Sequence, residues 1–122
     1  MQILVILWEP NARWLALDET EQREFLESLD DPIAQGRAIG MQTLGWSRVD
    51  RSLPKAPEEG FVGIFAMEDA ASVHALEASV AESGWYDYFD SVNISIAPFG
   101  GNSPAPHEVY ETMLGLEVDV PE

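Results

Sequence analysis

The chain offers few side chains with chemistry of their own. Its only histidines are His74 and His107, and it has no cysteine. Thiolate catalysis, disulfides and zinc-finger sites are therefore excluded. His74 and Glu77 stand one helical turn apart, as do His107 and Glu111, so each pair can reach a single ion. A first-row metal site takes three or more ligands with supporting geometry. Two on an exposed face read as a solvated pair, and no metal is expected. Serine occurs without the G-x-S-x-G elbow that presents an activated hydroxyl. Gly100-Gly101 lacks a phosphate-loop pattern, and no dinucleotide fingerprint appears, so no cofactor is expected. Asp87 and Asp90 are three apart and can form a carboxylate pair, but capping a turn in solvent is the simpler role.

The aromatic residues are more informative. Gly84–Asn93, G-W-Y-D-Y-F-D-S-V-N, packs four aromatics, two aspartates and an amide into ten positions. Together with Trp8 and Trp46, its Trp85, Tyr86, Tyr88 and Phe89 can surround one cavity if neighbouring elements bring them together. Arg48, two residues after Trp46 on a strand, lies on the same face and can meet a carboxylate or an enolate. Asn93 and the tyrosine hydroxyls can orient a carbonyl. The candidate ligand-binding set is Trp8, Trp46, Arg48, Trp85, Tyr86, Tyr88 and Asn93. Arg48, His74 and Tyr88 are the candidates for catalysis. The competing reading is that these rings fill the core and a dimer interface, as large aromatics usually do.

The elements that must carry these residues follow from periodicity. Gln2–Trp8 is apolar on both faces, which marks a central strand, ended by Pro10 and Asn11. Trp14, Leu15 and Leu17 form an apolar cluster leading into a helix. Asp18 and Glu21 make a capping box, and Phe25, Leu26, Leu29 and Ile33 recur at helical spacing. Pro32 predicts a kink there, with Asp31 capping the second piece and Gly40 ending it. Met41–Val49 alternates, placing Gln42, Leu44, Trp46 and Arg48 on one face. Asp50–Gly60 is a charged loop. Phe61–Met67 is again apolar on both faces and central. Asp69 caps a helix over Asp69–Ser83, with Val73, Leu76 and Val80 inward and Gly84 as its stop. Ser91–Ala97 is the fourth strand. Pro98–Pro106 is a loop, Pro106–Leu116 a third helix with Val109, Met113 and Leu116 inward, and Val118–Glu122 a tail.

The order β-α-β-β-α-β plus a C-terminal helix predicts one α+β domain over residues 1–122, ferredoxin-like, with 98–122 as an extension. A four-stranded sheet with helices on one face leaves its other face wet. Here the first and third strands are apolar on both faces, so the second face needs a cover. A homodimer packed sheet to sheet supplies it and gives a dimeric α+β barrel; the alternative is the C-terminal helix of the same chain.

Charge limits the partners. The chain has 22 acids against six bases, a net charge of −16, with Lys55 its single lysine. Such a surface repels phosphate backbones and anionic membranes, so neither nucleic acid nor membrane is an expected partner. The apolar N-terminus is too short for a signal segment or a span, which makes the cytoplasm the default location. Acid-rich, lysine-poor composition resembles that of proteins from salt-loving microbes; an ordinary acidic cytosolic protein is the alternative.

The motifs N-A-R-W-L-A-L (Asn11–Leu17), the E-x-x-x-F-L helix (Glu21–Leu26), L-G-W (Leu44–Trp46) and G-W-Y-D-Y-F-D-x-V-N (Gly84–Asn93) resemble an uncharacterised family of small microbial proteins, a domain of unknown function. W-L-A-L and the acidic helix after it resemble, more distantly, the darcynin-type proteins. The resemblance covers Met1 to Asn93, and the tail beyond departs from the family's short form. It implies the dimeric α+β barrel and brings no catalytic residues.

Two functional classes follow. One is a non-catalytic homodimer that binds a small aromatic or enolisable molecule in an aromatic-lined pocket. The other is a cofactor-independent monooxygenase, isomerase or decarboxylase for a phenolic or enolisable substrate, reached by analogy of fold. A purely structural dimerisation domain remains if the rings leave no cavity. Screening bears on the charge directly: self-repulsion weakens as the Debye length falls from about 30 Å at 0.01 M salt to about 3 Å at 1 M. The melting temperature is expected to climb by about ten degrees between dilute buffer and molar KCl. A flat profile would leave the acidic surface without a salt-dependent role.

Overall fold

The computed structural model describes residues 1–97 and 106–115. β1 (Gln2–Pro10) and β3 (Phe61–Met67) are the central strands of a four-stranded antiparallel sheet in the order β2-β3-β1-β4. β2 (Gln42–Arg48) and β4 (Phe89–Ile96) form the edges. Apolar residues on both faces of β1 and β3 thus mark central strands, as expected. On one face Leu4, Ile6 and Phe65 meet Met41, Met67 and Val73 to make the core, with Trp8 and Leu76 packed against it. On the other, Ile3, Val5 and Leu7 stand opposite Ile96, Ile94 and Val92. The last three remain 42–48% exposed.

The helices sit where local signals put them, with one shift. α2 (Glu19–Glu27) opens with the Asp18–Glu21 capping box, and Asp69 caps α4 (Ala70–Glu82) through the Ser72 amide at 2.8 Å. Gly84 ends α4 with φ 88°, a left-handed conformation that glycine adopts without a Cβ penalty. The break between α2 and α3 (Asp30–Ala38) falls at Ser28 and Leu29, upstream of Pro32. Leu29 occupies the cap position, so Asp31 does not cap. Pro32 lies in the first turn of α3, where its missing N–H costs no hydrogen bond within the helix. Gly40 closes α3 with φ 103°, and the Met41 amide reaches back to the Gly36 carbonyl at 3.0 Å.

β2 departs from the predicted alternation. Its register with β3 slips between Thr43 and Gly45, leaving Leu44 as an extra, bulged residue. Thr43, Trp46 and Arg48 share the helix-covered face with Phe65, Gly63 and Phe61. Gln42 pairs with Ala66 on the opposite face, so neither Gln42 nor Leu44 belongs with Trp46.

Two short helices have no counterpart in the sequence periodicity. α1 (Ala12–Ala16) takes up the Trp14–Leu17 cluster, and α5 (Trp85–Tyr88) takes up the start of the aromatic stretch. Asn11 joins them. Its side-chain oxygen accepts from the amides of Arg13 and Trp14, capping α1. Its Nδ2 donates to the Asp87 carbonyl at 2.9 Å, and its backbone N–H donates to the Tyr88 carbonyl at 2.9 Å. Arg13 lies 3.9 Å from Asp87, while Glu9 accepts from the Gly60 amide and stands 3.9 Å from Arg51. On α6 (Pro106–Met113) Tyr110 and Met113 are 60% and 59% exposed, so Met113 does not face inward. The expected loop Pro98–Pro106, apart from Pro106, and the inward Leu116 and the tail lie outside the described residues. So does the side chain of Val109. Among the described residues no helix is long and apolar enough to cross a membrane.

Asn11→Ala removes a helix cap and a long-range donor together. It is expected to destabilise the fold by about 2 kcal/mol and lower the melting temperature by roughly 8 °C. Asn11→Asp keeps the cap acceptor and should lose about half of that. Equal melting curves for Asn11→Ala and the parent would mean that ring packing alone holds the junction.

Candidate functional site

The sequence places three tryptophans on three different elements, and the fold brings them into contact. Trp8 stands near the end of β1 on the helix face. Its ring lies 5.7 Å from Trp46 and 5.4 Å from Trp85, both edge-on, and stacks on Phe61 at 5.8 Å. The bulge at Leu44 turns Trp46 onto this face, over Gly63. A Cβ at position 63 would stand 3.0 Å from Trp46 Cε3, so the bare strand makes room for the indole. Trp85 is fixed by its Nε1 donating to Ser91 Oγ at 3.1 Å and by contact with Phe89 at 4.2 Å.

The three indoles line one side of a cavity of about 80 Å³ beneath α3 and α4. Ile6 and Phe65 form its floor, and Leu29, Ile33, Met41, Leu76 and Val80 form the remaining walls. Among the described residues, Ser79 and Ser83 contribute its only hydroxyls and no titratable side chain lines it. Edge-on aromatic pairs and an apolar surround leave water few hydrogen-bond partners there.

The other candidates stand elsewhere. Arg48 shares the face of Trp46 but lies over the Phe61 ring, 5.8 Å from its centroid, and does not reach the cavity. Tyr88 packs against Trp14 and Phe25, 5.8 and 4.8 Å away, in a second aromatic cluster that closes on Phe89. His74 is exposed on α4. Among the described residues no group of three or more potential ligands is placed to hold a metal. The side chain of His107 lies outside the described residues. Tyr86 and Asn93 form a separate polar cluster: Asn93 Nδ2 donates to the Tyr86 hydroxyl at 2.9 Å, and that hydroxyl donates to Glu77 at 3.3 Å. Partial burial raises the Tyr86 phenol above its ordinary pKa. The Asn93 hydrogen bond lowers it, and the charge and hydrogen bond of Glu77 raise it. The walls from α3 and α4 were missed as site residues. The inward stripe Leu29–Ile33 and Leu76–Val80 carried the signal, but it read as ordinary core.

A family model matches residues 1–114. The chain belongs to DUF6616, a family of unknown function. The match extends beyond Asn93 and includes α6. A search of curated proteins finds no match. Among solved structures, a mutant chlorite dismutase from Candidatus Nitrospira defluvii aligns with TM-score 0.60 and 14% identity over 80% of this chain and 40% of its own. A heme-binding protein from Thermus thermophilus aligns with TM-score 0.58 and 13% identity over 89% of this chain and 45% of its own. A dabb family protein with a ferredoxin-like fold from Mesorhizobium loti aligns with TM-score 0.50 and 14% identity, over 81% of this chain and 97% of its own. The DUF6616 chain thus spans less than half the length of the first two. At these identities the likeness is one of fold, and the fold is α+β and ferredoxin-like.

Tyr86 gives a pH test of the polar cluster. The folded state holds its phenolic proton more tightly than the unfolded chain does. The associated stability is complete below the ordinary tyrosine pKa and is lost as pH rises through the folded value. Glu77→Gln should move the Tyr86 titration to lower pH and Asn93→Ala should move it higher. Tyrosinate absorbance, read as the difference from Tyr86→Phe, measures both. Identical titrations in all three backgrounds would separate Tyr86 from these partners.

Proposed function

We propose that the protein is a homodimer that binds a small apolar, ring-bearing organic molecule in the cavity bounded by Trp8, Trp46 and Trp85. The observation that carries this reading is a cavity between sheet and helices whose described lining is apolar and holds no titratable group. Arg48, His74 and Tyr88, the expected helpers of an anionic intermediate, lie outside that lining. Their placement supports binding over the oxygenase, isomerase or decarboxylase reading, since a general acid or base must stand within hydrogen-bond reach of the reacting atom. The cavity itself supports a ligand over a purely structural role.

Haem does not fit this site. The Thermus neighbour is named for binding it, but no described histidine or tyrosine lines the cavity, and about 80 Å³ is far smaller than a tetrapyrrole needs. The dimer is supported by the second sheet face. Val92, Ile94 and Ile96 present an apolar row beside Val5 and Leu7, and a two-fold copy brings the same chemistry to meet it. The described side chains of α6 point to solvent and leave the row exposed.

Toluene tests the pocket. Titration should alter tryptophan emission and stabilise the protein by about 2.7 kcal/mol at a hundredfold excess over Kd. Val80→Phe, which fills the cavity, should abolish both responses. No change in emission or melting on adding toluene would remove the ligand reading. For the dimer, light scattering should give the mass of two chains for the parent and of one for Ile94→Lys, because the charge cannot be buried unpaired. A parent running as a monomer sinks the dimer reading.

A further inference from the structure

A second cavity, of about 230 Å³, opens between the end of α3 and the start of α4. It is separated from the inner one by a common wall, since Pro32, Met41, Leu76 and Ser79 line both. Met41 is the flexible piece of that wall. It is 8% exposed, and a Cβ built at Gly36 would stand 3.1 Å from its terminal methyl, so the glycine leaves space for the thioether. An unbranched thioether rearranges at little cost and suits a movable partition. The outer cavity differs in chemistry. Gln35, Ser72 and Glu68 contribute polar groups, and among the described residues Glu68 is the one charged side chain lining either cavity. Arg37, next to Gly36, does not line it. The first-turn amide of Ser72 is already taken by the Asp69 carboxylate, so the helix start offers an anion little there.

We infer that the two cavities are compartments of one site for an elongated amphiphile with an amine head. Its ring occupies the tryptophan-lined compartment, its chain passes Met41, and its ammonium group meets Glu68. This rests on the reading of the inner cavity as a ligand site and adds the charge class of the ligand. The preference is for a cation over a carboxylate. No described cationic side chain lines either compartment to receive an anion, and the chain as a whole is strongly negative.

A matched ligand series tests it by calorimetry: toluene, phenylbutylamine, phenylbutanol and phenylbutyrate. The amine is expected to bind about tenfold tighter than the alcohol, and the carboxylate weaker than both, as a charge-assisted hydrogen bond at the head would give. Glu68→Gln should erase the advantage of the amine and leave the alcohol unchanged. Glu24→Gln, which makes the same change in net charge on exposed α2, should preserve the advantage. If both variants lower amine affinity equally, the attraction comes from the surface as a whole and the inference falls. It also falls if the carboxylate binds the parent as well as the amine, or if the amine keeps its advantage in Glu68→Gln. Toluene separates the two readings. If toluene binds without any amine preference, only this inference is overturned; if no member of the series binds, the pocket reading fails with it.

Discussion

Asn11 is the point on which the arrangement of the site depends. One side chain caps α1, and the same residue ties that helix to the carbonyls of Asp87 and Tyr88, the first of them 76 positions further along the chain. An amide suits this position because its oxygen accepts from α1 while its separate NH2 group donates to α5; serine or threonine could cap, but neither carries an NH2 group to span to α5. The bond fixes α5 against the end of β1. Trp14 then lies 4.8 Å from Phe89, Phe89 lies 4.2 Å from Trp85, and Trp85 meets Trp8. A hydrogen-bonded joint between two short helices is thereby transmitted, ring by ring, to one wall of the cavity. Neither helix is long enough to be stable alone.

What the sequence disclosed was mostly local or set by side-chain period. Doubly apolar β1 and β3 could only be central strands, and the caps at Asp18 and Asp69 are short-range hydrogen bonds whose partners lie three residues away. The stop at Gly84 is a backbone preference of a single residue. What escaped depends on a partner strand or on distance in sequence. The bulge at Leu44 is a property of pairing with β3, although a glycine at position 45 inside a strand was a usable sign. The Asn11–Asp87 bond has no periodic signature at all. The site was half legible for the same reason. Three tryptophans at strand and helix ends suggested a shared wall, whereas Tyr88 had to be separated from Trp85 by the turn of α5, which no residue pattern fixed in advance. Arg48 was placed on the correct face, yet the face alone did not say that Phe61 would hold it.

The electrostatics divide the molecule sharply. A chain with net charge −16 keeps its inner cavity free of ionisable groups and its core free of buried polar residues among those described. The three ion pairs among the described residues are all solvent-exposed, and two of them span 3.9 Å, so they contribute little to stability. Cohesion comes from apolar contact and aromatic geometry, which salt strengthens or leaves alone, while the surface charge is the part that salt relieves. Core packing and surface charge are thus carried largely by separate sets of residues, apart from acids such as Asp18 and Asp69 that cap helices.

The contact of Trp46 with the bare backbone of Gly63 has a consequence for how this chain can diverge. Even a methyl at position 63 would need the indole of Trp46, 3.0 Å away, and the ring of Phe65, 3.2 Å away, to give by a few tenths of an ångström, and loss of the indole would bare the glycine. The two positions are therefore sterically coupled: a larger residue on β3 fits better when β2 carries a smaller one. Paired substitutions at 46 and 63 across relatives would be the historical trace of this one steric fit.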